Sequence, residues 1–373
     1  MSAKINPPPP QGGILNCRKP VGPTSLWLVN EIKRLSAVRK VGHCGTLDPF
    51  ADGVLPIALG RATNMIRYMD DYDKVYRVLI HLGEATDTAD LSGSVIGGRL
   101  PASEECLAWS ANDFAVLRET IGQMTGLIEQ ETPAFSAAKI AGRPMYEYAR
   151  AGIAVEGKIR QVEVFSAELQ GAGFDLQEDG LEALDESHLP GEVFFPGTEH
   201  VDKGLDKVKS VHKPRFWLVV DIHCSKGTYI RTWAAELGQR LGCGAYAARL
   251  RRLRSGPYSF DDAVRQEDLR IIKQEGRGLA ELKSRGLLRD ASTARPDFPV
   301  IELDLNNATR ILQGKQVFGL PDLSADSHYR VFCRDLFLGI GVGRLSEDTG
   351  VILVAERMFT SLENFESRFD EGL

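Results

Sequence analysis

Alternating apolar and polar residues predict several strands in this chain. In residues 74–82 the alternation is regular, so that every second side chain from Tyr76 to Leu82 would face one side of a sheet. Residues 216–223 form a second run of this kind, and residues 14–16 and 54–59 are shorter apolar runs. We therefore expect strands at these places.

A spacing of three to four residues between apolar positions predicts helices. Thr24 and Ser25 can cap a helix whose apolar side chains recur on one face and whose last turn is basic, which suits the helix dipole. Residues 113–122 predict a second helix, and residues 232–241 a third, which follows the strand at 216–223.

In two segments the apolar residues recur at no regular spacing. Residues 1–12 contain a run of prolines and predict a disordered tail. Residues 171–212 are rich in glycine, and residues 171–206 hold ten acidic residues against one basic residue, Lys203. We interpret residues 171–212 as an acidic loop inserted at the surface of the first domain, which we place at residues 13–284.

Beyond a charged stretch at residues 285–299, further apolar runs predict a small β-rich unit in residues 300–360. Its strand candidates are residues 329–333, 336–344 and 351–356.

Composition narrows the class of protein. The chain has 373 residues, of which 43% are hydrophobic, which is enough for one large domain and a smaller one. Its net charge of −6 gives no general attraction for nucleic acid. Residues 226–254 nevertheless carry seven basic residues and one acidic residue, Glu236. Such a block fits a local anionic partner or a solvated charged helix face.

The cysteines, the apolar runs and the N-terminal residues indicate the part of the cell in which the protein is expected. The six cysteines are scattered and form no CxxC pair, which argues against a zinc site and a dense disulfide framework. No apolar run is long enough to span a membrane, and the N-terminus has no hydrophobic signal region. We therefore expect a reduced, cytoplasmic protein with no membrane partner and no metal.

Residues 41–59 carry the clearest chemical signal. They read VGHCGTLDPFADGVLPIAL and place Asp48 among three glycines and two prolines, with His43 close by. Glycines permit positive φ and close backbone approach, whereas prolines fix φ, so this loop can hold one carboxylate in a fixed geometry. A fixed aspartate can act as a nucleophile or a base. The alternative is an aspartate that only caps a turn.

Several motifs follow one another in a fixed order. They are GHCGTLDPFADGVLPIALGRAT, KVYRVLIHLGEATDTAD, SKGTYIRTWAAELGQRLGCGA and LRRLRSGPY, with GILNCRKPVGPTS before them and TPAFSAAKIAGRPMYEYARAG between the second and the third. In this order they resemble the bacterial tRNA pseudouridine-55 synthase (TruB) family over residues 13–258, apart from the acidic insertion. The C-terminal ATRILQGKQV and FLGIGVGRL are similar to the PUA-like RNA-binding domain of that family.

The resemblance implies an α+β fold. It would consist of a pseudouridine-synthase catalytic domain with a mixed, mainly antiparallel central sheet and a small C-terminal β-rich PUA-like domain. The implied reaction is isomerisation of uridine 55 in the T-loop of tRNA to pseudouridine, with an aspartate nucleophile and no cofactor. The expected partner is the T-arm of tRNA, without a guide RNA, and the protein is expected to be a monomer.

The resemblance also implies roles for single residues. Asp48 is the expected nucleophile, Arg231 pairs with it, and Tyr76 stacks on the uracil and helps to deprotonate its C5. The expected substrate-binding residues are His43, which holds the flipped RNA loop, Leu253 in the uracil pocket, Lys19 and Pro20 beside the catalytic loop, Tyr229 at the pocket edge, and the phosphate contacts Lys139, Arg143 and Arg252. Tyr229 lies two residues before Arg231, so on a strand both side chains would face one side.

Three residues depart from the family pattern. Cys44 and Asp52 stand where threonines are usual, and Asn64 replaces a common lysine. Asp52 adds a second carboxylate near Asp48, and three outcomes stay open: it binds solvent, it pairs with Arg61, or it weakens RNA affinity. Because an acidic insertion would repel tRNA, we expect residues 171–212 to project away from the RNA-binding face.

Two other functions fit the same motifs. One is a family member that modifies another RNA, as guide-dependent archaeal and eukaryotic relatives do, although this chain has unguided bacterial-style motifs and no long basic tails. The other is an RNA-folding chaperone without catalysis. The presence of Asp48, Tyr76 and Arg231 together argues against a chaperone.

Overall fold

The structure is a computed structural model that describes residues 12–136, 138–140, 142–151, 153, 157–174, 216–275, 278–347 and 350–369. The predicted tail, residues 1–12, and the predicted insertion, residues 171–212, lie almost entirely outside the described residues. Within those residues, no helix combines the length and the apolar character that a membrane crossing requires.

Strands and helices are numbered along the chain. The strands are β1 (Gly12–Lys19), β2 (Val41–His43), β3 (Asp52–Gly60), β4 (Lys74–Leu82), β5 (Ala85–Thr86), β6 (Val95–Gly97), β7 (Gly126–Glu131), β8 (Lys139–Ile140), β9 (Arg143–Pro144), β10 (Ile159–Phe174), β11 (Phe216–Cys224), β12 (Ala245–Ser255), β13 (Tyr258–Ser259), β14 (Leu288–Arg289), β15 (Val300–Glu302), β16 (His328–Cys333), β17 (Leu336–Ser346) and β18 (Gly350–Met358). The helices are α1 (Ser25–Ser36), α2 (Ile66–Met69), α3 (Ser103–Gly122), α4 (Met145–Arg150), α5 (Ile230–Arg240), α6 (Gln266–Gln274), α7 (Gly278–Ser284), α8 (Leu305–Leu312) and α9 (Leu362–Phe369).

A large mixed sheet forms the centre of the molecule. In the described part of the chain it has ten strands in the order β14-β1-β3-β12-β4-β11-β10-β7, with β2 beside β3 and β13 beside β12. The paired strands are antiparallel, except that β3 and β12 run parallel. The sheet is therefore mixed and mainly antiparallel, and the predicted α+β class is confirmed.

Apolar stripes attach the helices to this sheet. Every second residue of β4 from Tyr76 to Leu82 lies in one buried cluster, which confirms the predicted one-sided strand. Trp109 of α3 and Trp233 of α5 belong to the same cluster. Helices α1, α6 and α7 pack over β1 and β3 in a second cluster that includes Leu28. The two clusters place helices on both halves of the sheet.

Helix α1 begins where its sequence predicts. The Thr24 hydroxyl accepts a hydrogen bond from the Trp27 backbone N–H at 3.2 Å, which satisfies one of the free N–H groups at the helix start. Ala37 ends the helix in the left-handed region, with φ of 54°. Ser25 does not cap the helix, because its hydroxyl binds the loop that carries Asp48.

Three element boundaries differ from the prediction. Strand β10 includes residues 171–174, which were expected to be loop because of their glycines. Gly173 is required there, because a Cβ on it would lie 2.4 Å from the Trp217 ring. Segment α3 is two helices joined at a kink, because residues 111–114 leave helical geometry; the second helix lies within the predicted range 113–122, and the first, which begins at Ser103, was not predicted. Strand β14 lies inside the predicted linker 285–299 and pairs with β1.

A second sheet lies at the C-terminal end. Its strands are ordered β15-β16-β17-β18, with β15 parallel to β16 and the remaining pairs antiparallel. Phe337 and Phe359 pack with Met65 and Tyr68, which follow β3. The Arg61 guanidinium donates a hydrogen bond to the Phe359 carbonyl at 2.8 Å. These contacts hold the small sheet against the chain segment that follows β3.

Candidate active site

The loop between β2 and β3 carries Asp48 and has the backbone that its glycines suggest. Gly45 has φ of +74° and Gly53 has φ of +114°, conformations that other residues rarely adopt. A Cβ on Gly53 would lie 2.3 Å from the Arg252 carbonyl oxygen, so β12 approaches this glycine too closely for any side chain. The Ala51 N–H donates to the Asp48 carbonyl at 3.1 Å and closes a turn around the aspartate.

Residues near the start of the chain anchor this loop. The Ser25 hydroxyl donates to the Leu47 carbonyl at 3.0 Å and accepts from the Leu47 N–H at 2.9 Å. Lys19 is fully buried, and its ammonium donates to the carbonyls of Pro20 and Pro23, both at 2.8 Å, and to that of Pro49 at 3.5 Å. Burial lowers the pKa of Lys19 to about 7. Lys19 therefore links the segment that contains Pro20 to the loop that carries Asp48.

Asp48 forms an ion pair with Arg231, as the resemblance implies. The Arg231 Nε lies 2.9 Å from Asp48 Oδ2, and the exposed fractions of the two side chains are 4% for Arg231 and 34% for Asp48. The carboxylate therefore stays accessible while its partner is buried. Burial by the surrounding protein raises the pKa of Asp48, Arg231 opposes that rise, and the nearby Asp90 carboxylate adds to it.

Arg231 also binds three groups that sequence reasoning missed. Its Nη1 donates to the Thr88 carbonyl at 2.9 Å and to Asp90 Oδ2 at 3.1 Å, and its Nη2 donates to the Phe135 carbonyl at 2.8 Å. Asp90 is almost completely buried. It lies in the LGEATDTAD motif, but nothing in that motif distinguishes it from Asp87. The guanidinium is therefore shared between two carboxylates.

Tyr76 lies on β4, buried beside Arg252. Burial raises the pKa of the Tyr76 phenol, while the charge of Arg252 and a hydrogen bond from it oppose the rise. The Tyr76 side chain belongs to the same buried cluster as Leu47 and Ala51, which flank Asp48. The structure thus places the aromatic ring in the same core as the loop that carries Asp48.

Arg252 was expected to contact phosphate, but the structure places it inside the protein. It is 1% exposed, and its guanidinium donates to the carbonyls of Val54 at 2.7 Å and Gly45 at 3.1 Å. A buried guanidinium with backbone carbonyls as partners cannot reach an RNA phosphate. Arg252 therefore supports the loop and Tyr76.

Asp52 pairs with Arg251 and not with Arg61, which was one of the partners considered from the sequence. Arg251 donates to both oxygens of Asp52, with a closest distance of 2.6 Å, and is 2% exposed. Arg61 binds the Phe359 carbonyl at 2.8 Å. Arg254 pairs with Asp73 at 2.8 Å. Arg251 and Arg254 therefore serve as partners of acidic residues.

The predicted common face of Tyr229 and Arg231 is wrong. Tyr229 is the residue before α5, and Arg231 lies inside the helix, so a spacing of two does not place them on one side. The buried amide of Gln130 fixes this helix start, since it accepts from the Tyr229 N–H at 2.9 Å and donates to the Tyr229 carbonyl at 3.3 Å. Sequence reasoning missed Gln130.

Leu253 lies in β12 and His43 in β2, and both strands pair with β3. The pairing of β12 with β4 is irregular between Arg252 and Arg254, so Leu253 is the extra residue of a bulge, a feature that re-aims side chains. His43 ends β2 and is partly exposed, and burial together with Arg252 lowers its pKa. Its surroundings therefore favour the neutral imidazole.

The remaining predicted RNA contacts lie on a short hairpin. Strands β8 and β9 pair Lys139 with Pro144 and Ile140 with Arg143, and the Arg143 side chain is exposed. The hairpin is joined to the site through Phe135, whose carbonyl accepts from Arg231. In the described residues, no cluster of three or more His, Cys, Asp or Glu side chains could hold a metal ion.

Comparison with protein families gives three matches. Residues 33–178 match the TruB family pseudouridylate synthase N-terminal domain. Residues 231–290 match the tRNA pseudouridylate synthase B C-terminal domain, and residues 299–349 match the pseudouridine synthase II TruB C-terminal domain.

Two curated relatives resemble nearly the whole chain. The tRNA pseudouridine synthase B of Aliivibrio fischeri is 34% identical over 345 residues, which are 91% of this chain and 92% of the relative. The protein of the same name from Syntrophus aciditrophicus is 34% identical and covers 94% of this chain and 92% of its own length.

Two solved structures share the fold at lower identity. An archaeal box H/ACA sRNP Nop10-Cbf5 complex contains a chain with a TM-score of 0.59 and 21% identity, covering 95% of this chain and 88% of that one. A Cbf5-Nop10-Gar1 complex contains a chain with a TM-score of 0.60 and 20% identity, covering 95% and 87%.

Proposed function

This chain belongs to the TruB family of pseudouridylate synthases, and from that premise we propose that it converts uridine 55 of the tRNA T-loop to pseudouridine. Asp48 is the nucleophile, and no cofactor takes part. The observation that carries the proposal is the accessible Asp48 carboxylate, which is paired at 2.9 Å with the buried Arg231 and lies near enough to Tyr76 for its charge to raise the pKa of that phenol.

The reaction is an isomerisation, so every atom of uridine is retained. The bond between N1 and C1′ breaks, the uracil turns, and C5 bonds to C1′, while C5 loses a proton and N1 gains one. Asp48 acts as the nucleophile that allows the base to leave the ribose. An aspartate can do this only when it is ionised.

Arg231 favours the reactive form of that carboxylate. Burial raises the pKa of Asp48, and the guanidinium opposes that rise and so favours the anion. Tyr76 takes part in removing the proton from C5. Because burial raises its pKa, we assign it to proton relay by a neutral phenol rather than to a standing phenolate.

The substrate must leave the RNA stack to reach Asp48. Extruding a base costs a few kcal/mol, which contacts to the surrounding RNA must offset. We assign His43 to the flipped RNA loop, Leu253 to the uracil pocket, Tyr229 to the pocket edge, and Lys139 with Arg143 to phosphates. We further assign the β15–β18 unit to RNA binding as a PUA-like domain.

The relatives support tRNA as the substrate. Both curated relatives are named tRNA pseudouridine synthase B and are 34% identical to this chain, whereas the chains in the Cbf5 complexes are 20–21% identical. We therefore propose that the protein acts on the T-arm of tRNA as a monomer, without a guide RNA.

Asp48→Asn separates an enzyme from a chaperone. The amide cannot act as a nucleophile, so we expect product formation to fall by roughly 10⁴-fold or more. Binding of unmodified tRNA should stay within about threefold, since the side chain keeps its shape. Asp262→Asn is a suitable control, because Asp262 is 56% exposed and pairs with Arg289 at the surface. If Asp48→Asn still formed pseudouridine at the wild-type rate, the assignment of Asp48 would be wrong.

A further inference from the structure

The large sheet consists of two half-sheets joined at a short seam. Strands β14, β1, β3 and β2 form the first half, and β12, β4, β11, β10, β7 and β13 form the second. Within the described residues, the two halves are paired at Asp52 with Arg251 and at Gly53 with Arg252. Strands β12 and β4, by comparison, share nine residue pairs. The backbone hydrogen bonds across the seam are therefore few.

The reactive groups lie on opposite sides of this seam. Asp48 lies in the loop that joins β2 to β3 and belongs to the first half, whereas Tyr76 on β4 and Arg231 in α5 belong to the second. The geometry between nucleophile and partners therefore depends on how the halves are held together. The Asp48–Arg231 ion pair crosses the seam, but a nucleophilic carboxylate gives up its charge when it forms a bond. Another contact must then keep the alignment.

Asp52 and Arg251 provide such a contact on the first residue pair of the seam. Arg251 Nε lies 3.0 and 3.1 Å from the two oxygens of Asp52, and its Nη2 lies 2.6 Å from Oδ2. The exposed fractions are 2% for Arg251 and 13% for Asp52. A buried guanidinium that binds a carboxylate through two nitrogens fixes both distance and orientation.

Aromatic packing strengthens the same contact. The Arg251 guanidinium lies over the Phe260 ring at 4.5 Å, and the Arg18 guanidinium lies over that ring at 3.8 Å. Arg18 belongs to β1 and also donates to the Phe260 carbonyl at 3.1 Å. The Arg251 side chain is therefore held by groups from both halves of the sheet.

Building on the proposed function, we propose that Asp52 and Arg251 are positioning residues for pseudouridine formation. They do not touch the uridine. They lock the seam four residues after Asp48, and so fix the nucleophile relative to Tyr76 and Arg231 during the reaction. A displacement of about 1 Å in an active site can lower a rate by about 100-fold, so a small opening of the seam has a large effect on turnover.

A second ion pair offers a matched control. Arg77 binds Asp221 through two nitrogens, both at 2.7 Å, on neighbouring strands β4 and β11. This pair lies inside one half-sheet, where β4 and β11 share nine residue pairs. Its loss therefore removes a similar interaction without loosening the seam.

The test compares Asp52→Asn with Asp221→Asn in steady-state reactions on an unmodified tRNA transcript, with a melting temperature for each variant. For Asp52→Asn we expect kcat to fall about tenfold or more, with KM within about threefold of wild type. For Asp221→Asn we expect kcat within about twofold. Asp52→Glu retains a carboxylate and should recover part of the lost kcat.

Equal kcat values for the two Asn variants, on an active wild-type enzyme, would overturn the positioning role. A wild-type protein that forms no pseudouridine would instead contradict the proposed function itself. If Asp52→Asn does not fold, Arg251→Lys replaces it, because lysine keeps the charge and loses the planar fork. That variant should lower kcat several-fold at unchanged KM, and wild-type kcat would overturn the inference.

Discussion

Two buried arginines, Arg231 and Arg251, each bind a carboxylate near the same loop, yet the two sites differ in what they leave accessible. Arg251 gives Nε and Nη2 to one carboxylate, Asp52, which is 13% exposed. Arg231 distributes its nitrogens over two carboxylates and two carbonyls, and its partner Asp48 is 34% exposed.

The difference shows how an arginine–carboxylate pair can either hold the structure together or present a reactive carboxylate. A carboxylate held through both oxygens by a single guanidinium is a rigid link. A carboxylate that receives a share of a guanidinium, in surroundings that raise its pKa, is held less tightly and stays available for chemistry. The following predictions test this contrast between a reactive pair and a structural pair.

Among the changes that leave Asp48 itself in place, Arg231→Ala should have the largest effect. It leaves the buried Asp90 and the partly buried Asp48 without their cation, which typically costs about 3–5 kcal/mol of unfolding free energy. Activity should fall about 10³-fold, since Asp48 loses both its position and its charge stabilisation. Denaturant unfolding and single-turnover rates measure the two effects. Near-normal activity in a folded variant would contradict the assignment of Arg231.

The pH dependence of the wild-type rate tests the state of Asp48. The reactive form is ionised, so the rate should fall about tenfold per pH unit as pH drops below the pKa of the carboxyl. Because that pKa is raised, the fall should begin above the usual aspartate value of about 3.9. A single-turnover pH profile on pre-bound tRNA measures it. A rate that stays constant down to pH 4 would argue against a raised pKa.

Asp90→Asn tests whether sharing Arg231 between two carboxylates matters, because the change removes the Asp90 charge and leaves Asp48 paired with Arg231. We expect the rate at neutral pH to fall about tenfold, since Arg231 loses a partner that orients it. The Asp90 charge raises the pKa of Asp48, so its removal should move the acid limb of the pH profile to lower pH. An acid limb that moves upward would show that Asp90 acts on Asp48 in another way.

Cys44→Thr should have the smallest effect. The buried Cys44 thiol donates to the Met69 carbonyl at 3.1 Å, and a threonine hydroxyl can donate to the same carbonyl. We expect the unfolding free energy to change by less than about 1 kcal/mol and the rate to change by less than about twofold. Thermal unfolding and initial rates check this. A larger loss of activity would mean that the thiol has a role in the loop beyond packing.

The sequence predicts much of this site because its signals are local. The glycines and prolines around Asp48 restrict the loop, and regular alternation identifies β4 and the face that carries Tyr76. Family resemblance adds the partner, Arg231, and the structure brings it to 2.9 Å from Asp48. Local pattern failed at residues 171–174, which are strand in spite of their glycines, and at Tyr229, which precedes a helix rather than lying on a strand.

The contacts that sequence reasoning missed join distant segments. Asp90 meets Arg231 across 141 positions, and Asp52 meets Arg251 across 199. A charge block at residues 226–254 fits an anionic partner outside the protein as well as it fits carboxylates inside it. Burial decides between them, and it assigns Arg251 and Arg252 to the interior.

The most direct test of the account is to incubate the purified protein with an unmodified tRNA transcript and map pseudouridine at single-nucleotide resolution. The account predicts pseudouridine at position 55 alone, and none with Asp48→Asn. Tight tRNA binding without product would contradict catalysis and favour a chaperone. Product at other positions would leave the chemistry in place and contradict the proposed substrate site.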